Sequence, residues 1–85
     1  MSDRRSESAR YIRWSSIVNL ARQNKGAWFL ALADVSSRTT ELVTGRRHAD
    51  LRLPDGKLEA SMRHEYKDEN GLKRGDLYVR FVKEA

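Results

Sequence analysis

From Leu58 to Tyr66 the sequence alternates without a break, Leu58, Ala60, Met62, His64 and Tyr66 interleaving with Glu59, Ser61, Arg63 and Glu65. Successive side chains of a strand point to opposite sides of a sheet, so a period of two puts one set against a core and the other in water. A sheet with one solvated face is the antiparallel kind. Upstream, Ala49, Leu51 and Leu53 alternate with Asp50 and Arg52, and Pro54-Asp55-Gly56 supplies a tight turn. Residues 48–53 and 58–66 are therefore predicted to form a hairpin. After a polar connection over Lys67–Gly75, Leu77, Val79 and Phe81 form the inward face of a third strand, with Tyr78, Arg80 and Val82 facing away.

The first half has a different period. Trp14, Ile17, Val18 and Ala21 recur at helical spacing, with Gly26 placed as a left-handed stop, which predicts a helix over Trp14–Asn24. The apolar run Ala27–Ala33 is too short for a further helix and reads as a strand buried on both faces, ended by Asp34. A second short helix starts after Ser36 and Ser37, buries Leu42 and Val43 and stops near Gly45. Residues 1–10 are polar and lack periodicity, so they read as a mobile arm before a single domain over residues 11–85. The predicted fold is α+β: helix, strand, helix, then a three-strand antiparallel meander, with the helices on one face of the sheet. Its expected core contains Trp14, Ile17, Trp28, Leu30, Leu42, Leu58, Met62, Val79 and Phe81.

The chain has 85 residues and no cysteine, so one core must hold it without disulfides or thiolate metal sites, by packing or by self-association as a homodimer. The cysteine count, the absence of any run long enough to span a bilayer, and a first segment without the apolar centre of a secretory signal together predict a cytoplasmic protein with no membrane partner. No phosphate-loop or dinucleotide glycine pattern occurs, the serines at 15, 16, 36 and 37 fall at helix starts where capping accounts for them, and His64 alternates with core positions. Neither an enzyme, a cofactor, a metal nor a small-molecule substrate is expected.

The net charge is +5, and twelve of the seventeen cations are Arg, whose forked donors match phosphate or carboxylate. Arg38, Arg46, Arg47, His48, Arg52 and Lys57 bracket the second helix and the first hairpin, and together suit a nucleic-acid backbone. A helix followed by an Arg-flanked hairpin also has the general plan of winged DNA readers. With no Asn or Gln between Arg38 and Arg47, phosphate contact should dominate and sequence specificity should be modest. The same arginines also complement the negative end of a helix, which is a purely structural role. A second surface, Glu59, Arg63, Tyr78, Arg80 and Val82 on the outer face of the sheet, has the mixed charge and aromatic content of a protein interface.

The series Trp14-x-x-Ile17, Gly26-Ala27-Trp28, Pro54-Asp55-Gly56-Lys57-Leu58-Glu59-Ala60 and Leu77-Tyr78-Val79-Arg80-Phe81-Val82 resembles small accessory proteins encoded by actinobacterial phages. The resemblance spans residues 11–83 and implies a phage protein that binds either nucleic acid or a host protein. It assigns no functional residue.

Overall fold

The structure, a computed structural model, describes residues 12–84, so the expected N-terminal arm lies outside the described residues. Helix α1 spans Trp14–Gln23, strand β1 Phe29–Ser36, helix α2 Arg38–Thr44, strand β2 Gly56–Lys67 and strand β3 Lys73–Lys83, with a single 3-10 turn at Ala49–Leu51 between α2 and β2. The sheet is three-stranded and antiparallel in the order β1-β3-β2. The α+β class and the sequence of helix, strand, helix and then strands are as the sequence indicates.

In α1 the buried residues are Trp14, Ile17, Val18 and Ala21, one stripe on one side of the helix. Ser15 and Ser16 do not cap it: they lie inside its first turn and are exposed, and Arg13 takes the cap position without a side-chain bond. At the other end both Lys25 and Gly26 take positive φ, at 52° and 89°, which turns the chain into β1. Ser36 Oγ accepts the Arg38 amide at 3.2 Å, which satisfies one of the free donors opening α2.

The core joins both helices to one face of the sheet. It consists of Trp14, Ile17, Val18 and Ala21 of α1, Val35 of β1, Val43 of α2, Leu51, Leu58 of β2 and Leu77 and Val79 of β3. Leu42, Met62 and Phe81 pack partly buried against it. Opposite pairs set the register, with Leu58 across from Phe81, Ala60 from Val79 and Met62 from Leu77. At Gly75 the strands approach closely: a Cβ there would sit 2.8 Å from the Arg63 carbonyl oxygen and 2.9 Å from Met62 Sδ.

Four expectations are corrected. Residues 48–53 form no strand; Leu51 alone of the alternating set is fully buried, delivered by the 3-10 turn, while Ala49 is exposed. The sheet therefore has three strands where four were expected, β1 and the hairpin β2–β3. β1 is not buried on both faces: Leu30 is 48% exposed and Trp28 is outside the core, because both helices pack on the opposite side. β1 also runs through Asp34 to Ser36 by means of two bulges, with Asp34 at φ 52°. Finally, the alternation of β2 breaks at a bulge between Arg63 and Tyr66, where His64 takes φ 57°. His64 and Tyr66 are therefore exposed instead of lining the core. An inserted residue re-aims every side chain after it, and nothing in an alternating pattern announces it.

Candidate binding surface

The basic segment is shaped by the end of α2. Gly45 keeps a right-handed conformation, and a Cβ there would lie 2.9 Å from the Glu41 carbonyl oxygen. The left-handed position falls on Arg46, at φ 52°, with its amide on the Val43 carbonyl and that of Arg47 on the Leu42 carbonyl. Holding a β-carbon in that region costs on the order of 1 kcal/mol. The turn that results brings Arg52 back, so that its Nε donates to the Arg46 carbonyl at 3.1 Å.

Arg46 and Lys57 each approach one oxygen of Glu84 at 3.7 Å, so a carboxylate from the end of the chain sits between a loop cation and a strand cation. Sequence reasoning missed Glu84, since no local pattern relates it to either partner. Arg47 is exposed and makes no ion pair among the described residues. His48 Nδ1 accepts the Asp50 amide at 3.1 Å and also lies 3.7 Å from the Asp50 carboxylate. Accepting the amide requires an unprotonated Nδ1, so His48 serves as the cap of the 3-10 turn. Arg38 is at the opposite end of α2, about 10 Å away along seven residues. The structure thus joins Arg46 to Arg52 and, through Glu84, to Lys57; Arg47 follows Arg46 in the same turn, His48 is engaged with Asp50, and Arg38 is at the far end of α2.

The winged plan is absent. α2 is followed by the 3-10 turn and not by a strand, and its solvent side carries Glu41 between Arg38 and Thr44, a charge that repels phosphate. In its place a groove of about 330 Å³ runs along residues 57–60 of β2, with Thr44 and Arg46 from the basic turn and Trp28 from the open face of the sheet.

On that open face the second expected set does come together, and Trp28 joins it. Arg80 Cζ lies 4.8 Å from the centre of the Trp28 ring, Arg63 Cζ lies 4.7 Å from that of Tyr78 and 5.9 Å from that of Trp28. Arg80 Nε is held by Glu59 Oε1 at 2.7 Å. Glu59 sits directly across from Arg80, Ser61 from Tyr78 and Lys57 from Val82, while Leu30 flanks Tyr78 from β1. Arg63, like Arg47, has no ion-pair partner among the described residues.

Farther along the same face the bulges of β1 and β2 aim polar groups at β3. Tyr66 donates to Asp34 Oδ1, Arg74 donates to the same oxygen at 3.0 Å and to the Asp34 carbonyl at 2.6 Å, and Asp76 accepts the Asp34 amide at 3.0 Å while its other oxygen lies 3.1 Å from His64 Nδ1. The Tyr66 bond, then the Arg74 bond, hold the Asp34 carboxyl below its ordinary value, and the carboxylate in turn pushes the Tyr66 phenol up. A phenol kept protonated in this way is no base near neutral pH; the network ties three strands together. Among the described residues no group of three or more His, Asp or Glu side chains is placed to hold a metal, and no helix is long and apolar enough to cross a membrane. No protein-family model, no curated protein and no solved structure matches the chain.

Proposed function

We propose that the protein binds nucleic acid without catalysing a reaction, through Arg46, Arg47, Arg52 and Lys57, with phosphate contacts dominating and sequence specificity modest. One observation carries this reading. The end of α2 and the start of β2 bring Arg46 and Lys57 to the lining of one groove, where they share Glu84, a carboxylate that a phosphate would displace, and Arg52 is tied to the Arg46 carbonyl beside them. Guanidinium forks suit phosphate oxygens, and the overall charge of +5 favours a polyanion at long range. The resemblance to phage accessory proteins fits a role in the cytoplasm of a bacterial host.

The test is affinity for oligonucleotides as a function of salt. Replacing Arg46 and Arg47 together by Ala should lower the slope of log affinity against log salt by about 2 and weaken all sequences alike. An unchanged slope would show that phosphate is not read here.

A second reading, a protein that binds and interferes with a host protein, draws on the half-exposed Leu30 of β1 beside Tyr78 of the central strand, on a sheet face that no element among the described residues covers. For that partner Tyr78→Ala or Arg80→Ala should cost about 1–2 kcal/mol, and the Arg46, Arg47 double change should matter little. The readings separate in a pulldown from host lysate with and without nuclease. A single host protein that stays bound after nuclease, with no oligonucleotide shifted in a gel at low salt, would replace the first reading by the second.

A further inference from the structure

We infer that the open face of the sheet is a stacking platform for unpaired bases, so that the nucleic acid bound is single-stranded; the inference rests on the nucleic-acid reading above. Trp28 carries the link. It lines the groove whose rim holds Arg46 and Lys57, and it also belongs to the group of planar side chains formed with Arg80, Arg63 and Tyr78. A strand whose phosphates follow the cations of the groove therefore has aromatic and guanidinium planes beside it at the point where its bases turn inward.

Three features favour this occupant over a duplex. Both helices pack on the other side of the sheet, so among the described residues no element covers the face. The one helix near the basic turn is seven residues long and presents Glu41 outward, which disqualifies it as a reader of the major groove. And the planar groups are held in place: Arg80 is fixed by Glu59 at 2.7 Å, and Tyr78 stands on the central strand between two paired neighbours. Every base has a π face, so aromatic and Arg planes bind single strands with little regard to sequence. Arg63, stacked on Tyr78 without a carboxylate partner among the described residues, is the cation on this face left to meet a phosphate or a base edge.

The chain has two tryptophans, and only one can respond. Trp14 is 3% exposed in the core, whereas Trp28 is on the face, so fluorescence reports on stacking at Trp28. The full chain is titrated at low salt with oligothymidylate, with oligouridylate and with a duplex of equal length. Single strands should bind at least about tenfold more tightly than duplex and quench the emission, and Trp28→Phe should remove most of the quenching while retaining binding. Trp28→Ala with Tyr78→Ala should weaken single-strand binding by about ten- to a hundredfold and duplex binding far less; circular dichroism melts establish that the variant is folded. Equal affinity for duplex and single strand without quenching overturns the platform and leaves the nucleic-acid reading standing. Failure of every oligonucleotide to bind overturns both.

Discussion

Arg22 and Asp55, 33 residues apart, are joined by two parallel N–H···O bonds of 2.6 and 2.9 Å, and the same guanidinium lies 4.8 Å from the centre of the Phe81 ring. The pair fastens the last turn of α1 to the turn that opens β2. Arg22 first of all, through these bonds, holds the Asp55 carboxyl below its ordinary value of 3.8. A carboxyl whose pKa is depressed on folding adds stability that is fully present above its unfolded value and is lost as pH falls toward the folded one. Asp34 acts in the same direction, through Tyr66 and then Arg74.

Thermal melts should therefore drop as the pH is lowered from about 4, and Asp55→Asn should both lower the melting temperature near neutrality and flatten that acid limb. Parallel curves for the variant and the unaltered protein between about pH 5 and pH 2 would show that the pair adds nothing.

Leu51 is buried by a 3-10 turn instead of the expected strand, whereas Leu30, expected in the core, is exposed. Leu51 is 1% exposed and Leu30 48%. Leu51→Ala should cost about 2–5 kcal/mol in urea unfolding. Leu30→Ala should stay within about 0.5 kcal/mol of the unaltered protein, in contrast to the large cost that a doubly buried β1 would give.

Arg46 allows stability and binding to be moved in opposite directions. Glycine adopts φ 52° freely, so Arg46→Gly should relieve backbone strain and hold or raise stability, by up to about 1 kcal/mol. The same change should lower the salt slope of oligonucleotide binding by about 1. A variant that melts no earlier yet binds less well would locate the loss in the contact surface and not in the fold.

A chelator should leave the melting temperature unchanged. A large drop, reversed by adding back a divalent ion, would point to a site built on His48 or His64 with nearby carboxylates.

Local periodicity determined a good deal by itself. The 3.6-residue stripe from Trp14 to Ala21 gives α1, Ser36 and Gly45 bracket α2, and Leu58-x-Ala60-x-Met62 and Leu77-x-Val79-x-Phe81 give the inner faces of β2 and β3. These segments are amphipathic on their own, and whatever they pack against, those faces must be buried. The basic residues from Arg46 to Lys57 and the set from Glu59 to Val82 could be picked out for the same reason, as cations and aromatics on positions facing water.

What only the tertiary structure decided is set by contacts between distant residues. β3 lies in the centre because β1 pairs with it, and that leaves 48–53 without a strand partner, free to turn as a 3-10 segment and drop Leu51 into the core. Both helices settling on one side turns Trp28 and Leu30 outward, although their run reads as interior. The bulges at Asp34 and His64 depend on partners across the sheet, Tyr66, Arg74 and Asp76, and Glu84 meets Arg46 and Lys57 only after β2 and β3 are paired. Pattern tells a segment which of its faces to bury, but the energy that selects its neighbour comes from surfaces elsewhere in the chain, and this is why the two halves of the proposed binding surface meet at Trp28 only in the folded protein.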